Sequence, residues 1–203
     1  MWQGYTPCLF FFSSWYSLFR FYGRGGKSLG KDVKSVLIEL PTVWIAVLNV
    51  AGWPVIQMTL AWAFTQIPAS KFTPPEPFGW EQNGSTYERF FAIKRWKDWL
   101  PDAGPWFRGG FAKRTLTGVD ADYFSRFVRE TWRSELCHWA ALGCAAVFFL
   151  WNPAWAGVIM VSFGVFLNVP CIIAQRYNRI RFRRVLTRSC EKTRHAGSGT
   201  ITN

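Results

Sequence analysis

A chain of 203 residues that is 50% hydrophobic and 19% aromatic, with 13 tryptophans, is long enough for one domain and more apolar than soluble domains usually are. Its net charge of +12 does not point to nucleic acid, because the excess gathers behind an apolar run. From Arg176 to Asn203 there are eight basic residues and one acid, Glu191, the placement of a topology signal and an anionic-lipid contact. Five cysteines without paired spacing support neither a disulfide framework nor a zinc site.

Residues 1–35 form an aromatic and basic N-terminal extension. It lacks the n-region charge and small-residue cleavage site of a signal peptide. Its Gly25-Gly26-Lys27-Ser28 is not a phosphate-binding loop, since Phe21 stands where that motif needs glycine. The extension is read either as foreign to the native chain, through a misassigned start, or as an interfacial element.

No charged residue occurs from Leu40 to Ser70, a run well beyond the ~20 residues that span a bilayer. It predicts a transmembrane helix within 36–67, with Pro41 near its start and Pro54 as a kink. A proline-rich breaker follows. Residues 68–129 read as a cytoplasmic interfacial segment, where "YERFFAIKRWKDW" mixes aromatics with lysines and arginines as a helix lying on a membrane surface does.

A second uncharged run extends from Trp139 to Gln175, too long for one helix, and Asn152-Pro153 inside it marks a turn. Residues 130–186 are therefore read as a transmembrane hairpin with arms from about Glu130 to Leu150 and Ala154 to Asn178. Residues 187–203 read as a basic disordered tail. The whole is an all-α integral membrane protein. By the positive-inside rule it is multi-pass in the cell membrane, with loop and tail in the cytoplasm.

One of the two histidines, His138, stands at the edge of the second run, and Glu135 lies three residues earlier on the same helical face, where it could orient the imidazole. With the turn centred on Pro153, antiparallel arms bring Asn168 level with His138, roughly 22 Å from the turn and just inside the cytoplasmic edge of the hydrocarbon. Polar groups at that depth are costly unless paired or used. Asn168 could bond His138, donate to an oxyanion or join two helices. Gln175, Arg176, Asn178 and Arg179 follow toward the cytoplasm, and the arginines could hold donor phosphates or anchor headgroups.

Three blocks, "FFAIKRWKDWLPDAG", "RETWRSELCHW" and "NVPCIIAQRYNRIR", resemble in order and approximate spacing the glycosyl-4,4'-diaponeurosporenoate acyltransferases, membrane enzymes of carotenoid biosynthesis. The resemblance covers about Phe72 to Leu186. It implies transfer of a fatty acyl group from an activated donor to the 6-hydroxyl of glucose on a C30 carotenoid acid, or to a similar lipid-linked sugar. No metal or cofactor is implied. It adds Lys97 and Asp102 as contacts for donor or sugar. Such a reaction needs a base, an oxyanion stabiliser and a site open to lipids. His138, Glu135 and Asn168 are the catalytic candidates. The rival reading is a non-catalytic membrane protein that binds anionic lipid or scaffolds pathway enzymes.

Overall fold

The computed structural model describes residues 36–100 and 121–198. The N-terminal extension, Asp102 and the last five residues lie outside them. Every regular element among the described residues is helical: α1 (Thr42–Gln66), α2 (Ser85–Phe91), α3 (Ala121–Cys144) and α4 (Ala154–Ser198), joined by short 3-10 turns.

Helix α1 starts directly after Pro41, whose carbonyl accepts the N–H groups of Trp44 and Ile45. It is apolar on every side, with Val43, Trp44, Val47, Val50, Val55, Met58 and Trp62 exposed. A helix of this kind belongs in a core or in lipid, and only 11% of its most apolar window is buried. Residues Ala154–Arg188 of α4 form the second helix long and apolar enough to cross a membrane, one third of whose window is buried.

The expected third span is not among these. The first hairpin arm is α-helical from Ala121 to Cys144, nine residues earlier than anticipated, and tightens to 3-10 geometry over Ala145–Leu150. Its N-terminal half carries Arg126, Arg129, Glu130 and Arg133, which hid an amphipathic helix whose buried positions include Phe124, Phe127, Val128 and Thr131. The basic tail is also helical as far as Ser198, because no proline interrupts it and arginine and lysine are good helix formers.

The chain divides into two compact units, one containing the described residues 36–56 and 144–163, the other Gln57–Gly143 and Gly164 onward. In the first unit Trp53 is buried, stacks on Phe148 at 5.4 Å between centroids and donates its Nε1–H to the Met160 carbonyl. Gly52 permits this packing, since a Cβ there would come within 2.8 Å of the Phe148 ring. Asn49 and Asn152 exchange amide hydrogen bonds of 2.9 and 2.8 Å, and Trp151 adds a third to Asn49.

In the second unit α3 and the C-terminal part of α4 run antiparallel, with Phe124 and Phe127 both against Phe182. On α4, Tyr177 and Ile180 pack with Tyr87, Ile93 and Ala174. The segment expected as one surface-lying helix is instead broken. Helix α2 ends where Ala92 takes a left-handed conformation (φ 46°), and two 3-10 turns follow, burying Ile93 and half-burying Trp96 and Leu100. Burial of every third or fourth apolar side chain against α4 outweighs the pull of a continuous amphipathic face.

Candidate active site

The site lies wholly in the second unit, on the facing sides of α3 and α4. Thr131, Glu135 and His138 follow one another at helical spacing on α3, while Asn168, Ile172, Arg176 and Arg179 form the answering row on α4.

His138 Nδ1 lies 2.9 Å from Asn168 Oδ1. Asn168 is fully buried, and its amide nitrogen donates to the Gly164 carbonyl at 2.9 Å, which fixes the amide's orientation. Its oxygen can only accept, so Nδ1 of the histidine bears the proton, and when the ring is neutral Nε2 carries the lone pair. Gln57 on α1 donates a second hydrogen bond, 2.7 Å, to the same oxygen. An amide oxygen held from two directions is a rigid acceptor for the imidazole.

Glu135 was expected to orient His138, and the structure gives it other partners. Its carboxylate receives Arg176 Nε and Arg179 Nη1, each at 2.6 Å, and the Trp139 indole N–H at 3.3 Å. The Glu135 side chain is wholly buried and Arg179 is 7% exposed. In low dielectric an ionised carboxylate is drawn to cations far more strongly than to a neutral imidazole. Arg179 also stacks over Trp132 and Arg176 over Phe78, so both guanidinium planes are fixed. Each retains N–H groups beyond those spent on Glu135.

One turn away, Glu130 pairs with Arg133 at 2.7 Å, and Arg133 reaches the Ile67 carbonyl. Gln175 presents a buried Oε1 with no hydrogen-bond partner among the described residues, and Asn178 is half-buried beside it. Lys97 is not part of this row. It pairs with Asp98 on the turn after α2, next to the Tyr87–Tyr177 cluster. In that cluster the Tyr87 hydroxyl donates to Glu81 at 2.5 Å, and burial, then this bond, pushes the Tyr87 hydroxyl well above its usual range. The Glu88 carboxylate accepts from Lys94 and from the Tyr177 hydroxyl, which hold it below the ordinary carboxylate range.

Among the described residues no cluster of histidine, cysteine and carboxylate side chains could hold a metal. Two contributors escaped sequence reasoning. Gln57 had a signal, as an amide inside an otherwise apolar span, where polar groups cost unless used. Trp132, stacked on Arg179, had none beyond its place in the motif.

Comparison with protein families matches residues 68–188 to the family described as glycosyl-4,4'-diaponeurosporenoate acyltransferase, a stretch that contains α2, α3 and most of α4. The chain belongs to this acyltransferase family. It is 29% identical over 138 residues to the glycosyl-4,4'-diaponeurosporenoate acyltransferase of Staphylococcus aureus strain bovine RF122 / ET3-1, covering 66% of this chain and 83% of the relative. With the enzyme of the same name from Staphylococcus haemolyticus strain JCSC1435 it shares 28% over 141 residues, 68% of this chain and 82% of the relative. No solved structure matches. The chain is thus an acyltransferase, and the paired row of His138, Asn168, Glu135, Arg176 and Arg179 lies within the part shared with the family.

Proposed function

We propose that this acyltransferase moves a fatty acyl group from an activated donor onto the glucose 6-hydroxyl of a glycosylated carotenoid or similar lipid-linked sugar, with His138 as general base. The observation that carries the reading is the 2.9 Å bond from His138 Nδ1 to a buried, doubly held Asn168 oxygen. A base needs its reactive nitrogen defined by a partner on the other nitrogen, and an orienting acceptor supplies that.

In this mechanism His138 Nε2 takes the proton of the sugar hydroxyl as its oxygen attacks the acyl carbonyl carbon. The tetrahedral intermediate collapses by breaking the bond to the donor's leaving group, which receives the proton from the imidazolium. Asn168 holds the ring through both steps. Arg176, fixed by Glu135 and only partly exposed, uses its remaining N–H groups on the oxyanion, while Gln175, Asn178 and Arg179 line the approach of donor and sugar. Lys97, and Asp102 from the same family block, are our candidates for contacts with donor or sugar. The apolar surfaces of α1 and α4 suit a lipid-borne acceptor that never leaves the membrane.

Incubation of the purified protein with labelled acyl donor and glucosylated carotenoid tests the reaction. A product esterified at the glucose 6-position is expected, and transfer only to other acceptors would reassign the substrate. We place the enzyme in the cell membrane as a multi-pass protein with this site at the cytoplasmic face. In a cysteine-free background, Gly79→Cys, where the added side chain meets open space, should resist an impermeant thiol reagent in intact cells and Ala154→Cys should react. The reverse pattern would turn the site outward.

A further inference from the structure

Beside the catalytic row, the second unit holds a cleft of about 1200 Å³ between α3, the residues before α2 and the C-terminal part of α4. Arg129, Arg183, Arg184 and Arg188 line it, with the hydroxyls of Ser125 and Thr187. Among the described residues its only lining acid is Glu76, an exposed side chain that pairs with Arg183 at 2.8 Å. Such an exposed pair contributes little and yields readily to a stronger anion. Arg129 contributes a buried Nε with no hydrogen-bond partner among the described residues. A buried guanidinium N–H without an acceptor is costly, and a cleft whose described lining carries three net positive charges invites an anion to satisfy it.

We infer that this cleft binds the phosphate groups of the acyl donor, and that the donor is an acyl thioester carrying its phosphates at the far end of a long arm, as coenzyme A does. The inference rests on the acyl-transfer reading. Arg176 and Arg179 are tied to Glu135, whereas among the described residues the cleft arginines have one exposed acid between them. The geometry chooses between phosphate sources. Arg129 stands about 14 Å along α3 from His138, and Arg183 about 22 Å along α4 from Asn168. In a glycerophospholipid about five bonds separate phosphorus from the nearer acyl carbonyl, a reach of at most ~7 Å. Roughly thirteen bonds join the diphosphate of coenzyme A to its sulfur, about 16 Å when extended. Of the two, only the second covers the roughly 14 Å between the levels of Arg129 and His138, and the longer interval to Arg183 is left to that side chain's own reach.

The test is equilibrium binding of non-reactive coenzyme A to the full-length protein in neutral phosphatidylcholine nanodiscs. Arg129→Gln and Arg184→Gln should each weaken binding by about ten- to a hundred-fold, and higher salt should weaken it further. Arg184 is exposed, so its loss leaves folding intact if Arg129→Gln does not fold. Arg89→Gln, at an exposed residue outside the cleft, should change nothing. His138→Ala should bind normally while losing turnover, which separates a failed site from a failed reaction. Binding unaffected by both cleft substitutions overturns the inference. So does a protein that ignores coenzyme A yet binds phosphatidylglycerol nanodiscs in an Arg184-dependent way, for the cleft then holds a lipid headgroup.

Discussion

Arg179 Nη1 meets Glu135 Oε2 at 2.6 Å with the carboxylate side chain entirely buried. Glu135→Ala therefore strands two arginines, and removing one partner of a buried pair costs about 3–5 kcal/mol. The expected outcome is a large fall in thermal midpoint in detergent, with Glu135→Gln intermediate because it still accepts hydrogen bonds. A variant of full stability but lost turnover would instead assign Glu135 to the chemistry.

The Asn49–Asn152 exchange closes the hairpin end of the first unit. Interhelical bonds of this kind contribute about 1–2 kcal/mol at most. Asn152→Ala should lower the unfolding midpoint measurably, and so should Asn49→Ala. Each loss removes the same cross-helix pair, although Trp151 still donates to Asn49 and Asn152 still donates to the Phe148 carbonyl, so the double variant should lose less than the sum of the two singles. Strictly additive losses would show that the two amides act independently.

Glu88 links α2 to α4 through the Tyr177 hydroxyl at 2.7 Å, and Lys94 first and Tyr177 second lower its carboxyl pKa. A depressed folded value means the stabilisation is present above the unfolded carboxylate value of 4.5 and fades as pH falls through the lower, folded one. Wild type should therefore exceed Glu88→Gln in thermal midpoint at pH 7, and the gap should close on acidification below pH 4.5. A gap that persists at low pH would mean the neutral carboxyl serves as well.

The meeting of His138 with Asn168 was legible because antiparallel arms joined by a tight turn match residues equidistant from it. Asn152-Pro153 located that turn. The partner of Glu135 was not legible. Spacing along α3 puts Glu135 beside His138, but the choice belongs to α4, which delivers two guanidinium groups to the same carboxylate. Hydropathy located α1 and α4, whose apolar runs are nearly unbroken. It missed the start of α3, where charges share an amphipathic helix with buried Phe124 and Phe127. It also missed the break at Ala92, since a left-handed alanine is imposed by packing and leaves no mark in composition.

In the proposed mechanism Asn168 positions His138 and does not itself touch the reacting atoms. Asn168→Ala should lower turnover less than loss of the histidine, while shifting the pH–rate profile because the ring's tautomer is no longer fixed. A changed stability with an unchanged profile would leave Asn168 as a helix–helix contact alone.

The most direct test is turnover of His138→Ala against wild type, at equal amounts of membrane-inserted protein, with saturating donor and acceptor. Loss of a positioned general base predicts a fall of about 100-fold to 10,000-fold with insertion unchanged. Near-normal acyl transfer by His138→Ala would contradict the mechanism outright.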